Sequence, residues 1–149
     1  VINAIRRIIL SDIPTVVFRT SPHKENQAIF HINTSRLNNE ILKQRLGCIP
    51  IHISNHSSPL DDLVVEIHKK NETNIIQYVT TEDFKIKNTK TGTYLAKAAR
   101  EAIFPKNPLS GDYILFARLR PKISEHIHGE ELKIDAKMSI GYAKESGCS

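Results

Sequence analysis

VINAIRRIILSDIPT, residues 1–15, is the stretch from which the fold can be read. At about 100° per residue, Ile2, Ile5, Ile8 and Ile9 fall on one half of a helical wheel. Asn3, Arg7 and Ser11 fall on the other half, with Arg6 at the border. The pattern predicts an amphipathic helix over Val1–Leu10, with one face built to bury and the other presenting a guanidinium and an amide. Pro14 ends it, because a residue that precedes proline is pushed out of the helical region. Val16-Val17-Phe18 then has the β-branched and aromatic content of a strand.

Working outward, Arg19–Asn26 is polar and reads as a loop, and Ala28–Ile32 alternates as a strand does. Asn33-Thr34-Ser35 offers N-caps for a second helix over Arg36–Leu46, which stops at Gly47 as a residue following the helix. Leu37, Ile41, Leu42 and Leu46 span half of that helix, and Asn38 and Arg45 fall inside the same half. A charge on an apolar side either snorkels to water or is paired, since burying it alone costs several kcal/mol. Composition shifts at His52, and Ile53–Asp61 reads as a linker. Leu63–His68 and Asn74–Val79 predict a hairpin, which Phe84–Ile86 extends. Tyr94–Ile103 has strong helix formers. Tyr113–Leu119 and Leu132–Ile140 are two further strands. The expected class is α+β, with helices packed on strands over 1–51 and a mostly β part over 52–149.

The formal charge is +5 and the pI about 9.3, with the lysines scattered along the chain. Scattered charge describes a solvated surface better than a nucleic-acid track. Of the two cysteines, Cys48 lies between apolar residues and is expected in the core, and Cys148 is far from it. There is no run of about 18 apolar residues to span a membrane. Seven histidines, among them His52, His56, His126 and His128, show no i, i+4 pair of a helical zinc site together with a third ligand. Asp61-Asp62 and Glu130-Glu131 read as solvated turns, because an acid–base dyad needs an apolar pocket to separate the two pKa values. No catalytic residue, metal or cofactor is expected.

INAIRR followed by Pro14-Thr15 resembles the "ANALRR … PT" helix and turn of the α-type assembly subunits of DNA-directed, multisubunit RNA polymerases. These are the bacterial α N-terminal domain, the archaeal D polypeptide and the third-largest subunit of RNA polymerase II. Asn38–Pro50, NNEILKQRLGCIP, is similar to that family's "E-x-x-x-x-R-L-G-x-I-P" helix and turn, in the same order and at the same distance. Gly111–Leu119, Gly129-Glu130-Glu131-Leu132 and Ala136–Lys144 resemble its later strands. That run normally leads into "G-x-A-K-x-H-A-K", where this chain has Glu145-Ser146-Gly147. The middle diverges.

The resemblance implies that 1–51 begins a discontinuous dimerisation domain and that 52–149 is a β-rich domain inserted into it. It implies a non-catalytic subunit that pairs with a small α-like partner and nucleates assembly of the catalytic subunits. Asn3, Arg6, Arg7, Arg45, Gly47 and Pro50 are the partner-binding positions it marks. Arg7 would face the second-largest subunit, and Arg45 would be a structural pair with Glu40 or a backbone carbonyl. The apolar faces of both helices would be partly covered by another protein. The implied partners are the small α-like subunit (fused into the same polypeptide in some relatives), the second-largest subunit and small zinc-binding polymerase subunits. DNA would be reached only through the complex, and no membrane is involved. The cysteine cluster that some relatives carry after this turn is not carried over, since Ile51–Val64 holds no cysteine. That absence, the divergent middle and an isoleucine count about twice that of leucine point to a large cytoplasmic DNA virus. The location would then be a viral factory or the virion, and the nucleus if the protein is cellular. The chain opens inside a helix and closes inside a family motif, so it reads as a piece of a longer polypeptide. The alternative reading is a basic α+β nucleic-acid-binding module, which would need a clustered basic face with exposed aromatics.

Overall fold

Helix α1 spans Ile2–Ser11, one residue later than expected at each end, in a computed structural model that describes residues 1–53, 60–124 and 126–145. Strand β1, Thr15–Val17, follows Pro14, and β2 covers Ala28–Asn33. Helix α2 is shorter than the wheel suggested, Asn39–Gly47. Its cap is Asn38, whose side chain accepts the Ile41 N–H at 2.9 Å, and the 33–35 run does not cap it. Asn33 instead ties 33–37 into a turn, accepting from the Ser35 N–H and hydroxyl and donating to the Leu37 carbonyl. Gly47 closes the helix from inside and Cys48 caps it in a right-handed conformation. Among the described residues, the glycines with positive φ are Gly92 and Gly111.

The rest of the chain runs β3 Leu63–Lys70, β4 Gln77–Thr80, β5 Phe84–Asn88, α3 Lys97–Ile103, β6 Leu115–Leu119, β7 Glu131–Lys137 and β8 Ser139–Gly141. Helix α3 starts three residues after Tyr94, because Tyr94 bridges Lys87 and the Leu95 N–H donates to the Ile86 carbonyl. These two residues therefore close the edge of β5. The expected strand over Leu132–Ile140 breaks at Met138. On one side β7 pairs with β2 and β3, and on the other β8 pairs with β1.

The fold class is α+β, as expected. An antiparallel sheet in the order β2-β7-β3-β5 is joined by the ribbons β1-β8 and β4-β6. Strand β7 shows the period of two that a half-buried strand must have: Leu132, Ile134 and Ala136 are buried and alternate with polar residues. Val65 and Ile67 of β3 meet Ala136 and Ile134 across the sheet. Four phenylalanines knit the core: Phe104 lies against Phe18 (centroids 6.3 Å apart) and Phe84 (5.4 Å), and Phe84 lies against Phe116 (5.7 Å). One hydrophobic cluster thus draws on residues before and after position 52, and β2 shares a sheet with β7. Most of the expected linker, residues 54–59, lies outside the described residues. Leu60, at its far end, is buried in the common core.

The expected β3–β4 hairpin does not form: β3 sits between β7 and β5, and β4 pairs with β6. Asn71 makes the difference. It is fully buried, its side chain donates to the carbonyls of Ile75 (2.8 Å) and Leu119 (3.0 Å), and it accepts from the N–H and hydroxyl of Thr73. The bond to Leu119 holds this turn against the end of β6, so the returning strand is delivered to β6 and not to β3. Gly129 is required by the same junction, since a Cβ there would lie 1.8 Å from the Asn71 carbonyl oxygen. Asn71→Ala is expected to lower the unfolding free energy by about 2–3 kcal/mol, because it strands buried partners. Urea unfolding measures this, and a loss well below about 1 kcal/mol would show that the amide is dispensable.

Candidate functional site

The apolar face of α1 is uncovered. Ile2, Ile5, Ile8 and Ile9 keep 83, 52, 55 and 57 % of their surface exposed, and the helix has no buried residue. Asn3, Arg6 and Arg7 are exposed on the remaining surface. Neither arginine has a carboxylate partner among the described residues. The C-terminal end of the helix is anchored. The Ser11 hydroxyl donates to the Arg7 carbonyl at 2.7 Å and to the Asp12 carboxylate, and Asp12 forms an ion pair with Lys144. Lys144 foremost, then Ser11, holds the Asp12 carboxyl below the ordinary range. An apolar face therefore stands out from a fixed base.

Helix α2 behaves differently, and here the expectation of a partner-covered face is corrected. Leu42 and Leu46 are fully buried against this chain's own sheets, and of the helix's apolar side chains only Ile41 keeps substantial exposure, at 41 %. The helix packs on β6 and β2, which seals it without a partner. Arg45 explains its position on the apolar half. Its Nε donates to the Phe116 carbonyl at 2.7 Å and its Nη2 to the Leu115 carbonyl at 2.9 Å. The backbone carbonyl is thus the partner, and Glu40 is not. Glu40 instead pairs with Lys43 at 2.9 Å, which holds the Glu40 carboxyl below its usual range. The Lys43 side chain is largely buried. Gly47 is buried at the helix end and Pro50 is exposed. No hydrogen bond or ion pair among the described residues joins Asn3, Arg6 or Arg7 to Arg45, Gly47 or Pro50, so the six expected positions form two separate groups.

Two other expectations change. Cys48 is exposed, because it caps α2 on the side away from the core. Glu130 is only 7 % exposed and is no solvated turn residue: its carboxylate accepts from the Arg120 backbone N–H at 2.8 Å and from the Arg120 guanidinium. Among the described residues no three His, Cys, Asp or Glu side chains are grouped to hold a metal. His31 faces Asp135 at 2.7 Å and His68 faces Glu131 at 3.0 Å. His56 and Cys148 lie outside the described residues. No helix among the described residues is long and apolar enough to cross a membrane.

An open cleft of about 410 Å³ between α2 and β6, which no sequence motif marks, brings together Arg36, Arg45 and Arg118. Only the outward position of Arg118 in its strand hinted at it. Comparison with known protein families finds none that matches the chain, and no curated protein is similar to it.

Proposed function

We propose that this chain is part of a non-catalytic, α-type assembly subunit of a DNA-directed, multisubunit RNA polymerase. It pairs with a small α-like subunit and so nucleates assembly of the catalytic subunits. The bare face of α1 is the observation that carries the reading. A ten-residue helix with no side-chain cap is marginal alone, since isolated helices shorter than about 12–15 residues barely form in water. Packing its isoleucines on another protein hides apolar surface worth about 1 kcal/mol or more per side chain and holds the helix in place. Permanent interfaces have this large, apolar character. In this reading the isoleucine face meets the small partner, and Asn3, Arg6 and Arg7 are offered to the second-largest subunit. Small zinc-binding polymerase subunits join the same assembly.

Arg45, Gly47 and Pro50 then act by shaping the α2 end, not by touching the dimer partner. The protein works in a viral factory or the virion if viral, and in the nucleus if cellular. Affinity purification of the full-length protein, with co-purifying chains identified by mass, is expected to recover a small α-like chain and the second-largest polymerase subunit. A monomer that shifts DNA on its own in a salt-dependent gel assay, with no polymerase chain recovered, would replace this reading with the nucleic-acid module.

A further inference from the structure

We propose that the cleft between α2 and β6 binds an acidic, extended protein segment, with Arg36, Arg45 and Arg118 receiving its carboxylates. Arg36, Arg45 and Arg118 line one cavity of about 410 Å³ together with Leu37 and Phe116. None of them has a carboxylate partner among the described residues. Arg118 lies over the Tyr78 ring, 5.6 Å from its centroid. Arg45 uses Nε and Nη2 on the Phe116 and Leu115 carbonyls, which leaves three of its five N–H donors unspent, two on Nη1 and one on Nη2. By contrast, Arg19 is bound to Glu25 and Glu145, and Arg120 to Glu130.

Like charges gathered at one locus repel, and an incoming pair of carboxylates reverses that interaction. A carboxylate also matches the flat, two-pronged guanidinium geometry. An extended segment places every second side chain on one face, so acids two residues apart can reach arginines on both walls of the cleft. Leu37 supplies an apolar surface for residues alongside them. Single-stranded nucleic acid fits less well, because its grooves depend on exposed aromatic platforms. The aromatic residue in this lining, Phe116, is buried, and the half-exposed Tyr78 lies outside the lining with Arg118 over its ring. The proposal uses no part of α1 and stands apart from the polymerase reading.

The test is fluorescence anisotropy on the full chain with three labelled probes: a peptide of repeated Asp-Glu-Leu units, the same peptide with Asn and Gln in place of the acids, and single-stranded DNA. The acidic peptide is expected to bind, more weakly as salt rises, and the amide peptide to fail. Arg36→Ala combined with Arg118→Ala is expected to weaken binding about tenfold or more. Both side chains are exposed, and Arg45 remains to hold the α2–β6 seam, so the thermal melt should not move. If that variant melts early, the single Arg36→Glu variant provides the same comparison. No binding of the acidic peptide, equal binding by the variants, or equal binding of the amide peptide overturns the proposal. So does DNA binding tighter than the peptide's and lost in the same variants, which would make the cleft a nucleic-acid groove.

Discussion

Leu46→Ala is expected to lower the unfolding free energy by about 3–5 kcal/mol, whereas Ile9→Ala is expected to change it by less than about 0.5 kcal/mol. Both remove a large aliphatic side chain from an amphipathic helix. Leu46 is fully buried between α2 and the sheets, so its loss removes transfer free energy and leaves a cavity in a close-packed core. Ile9 retains more than half of its surface in water, so little is lost within this chain. Urea midpoints for the two variants, at unchanged slope, give the comparison directly. Under the proposed polymerase role the order should invert when binding to a small α-like partner is measured, with Ile9→Ala impaired and Leu46→Ala limited only by its folded fraction. If Ile9→Ala destabilised the isolated chain as much as Leu46→Ala, α1 would be packing on its own chain, and the dimerisation role would lose its basis.

If the chain assembles as proposed, Arg7→Ala should leave the fold and the small-partner dimer intact and abolish recovery of the second-largest polymerase subunit. The side chain is exposed, lies opposite the isoleucines and has no carboxylate partner among the described residues, so nothing local depends on it. In a desolvated interface, truncating an arginine bound to carboxylates or carbonyls costs about 2–5 kcal/mol, roughly 30-fold to several-thousand-fold in affinity. An arginine that stays in water would contribute about 0–1 kcal/mol at most. One pull-down that reports both partners separates the outcomes. Normal recovery of the large subunit refutes the role, and loss of the dimer moves Arg7 into the dimer seam.

Arg45 and Asn71 show how far local reading extends. The helical wheel placed Arg45 on the apolar half, and a charge there had to be paired or reach water. Its acceptor at Phe116 lies 71 residues away, on a strand whose position no local pattern specifies. Asn71 stood in the expected hairpin turn between the runs Leu63–His68 and Asn74–Val79. Alternation reports that a strand is half-buried but not which strand it joins, and one buried amide bonded to Leu119 directs β4 to β6. No local pattern links Arg36 to Arg118, and they share a cleft because α2 packs on β6.

The sequence by itself determined the α+β class, the amphipathic character of α1, the strand at β7 and the helix ends near Pro14 and Gly47. These follow from periodicity and backbone chemistry within a few residues, where sterics and burial act locally. Only the tertiary structure decided that α2 is sealed while α1 is bare, that one core spans the expected boundary at residue 52, and that three arginines meet in one cleft. Each of these depends on which surfaces meet after long loops close. That choice is made by the summed packing of the whole chain, not by the preference of any one segment.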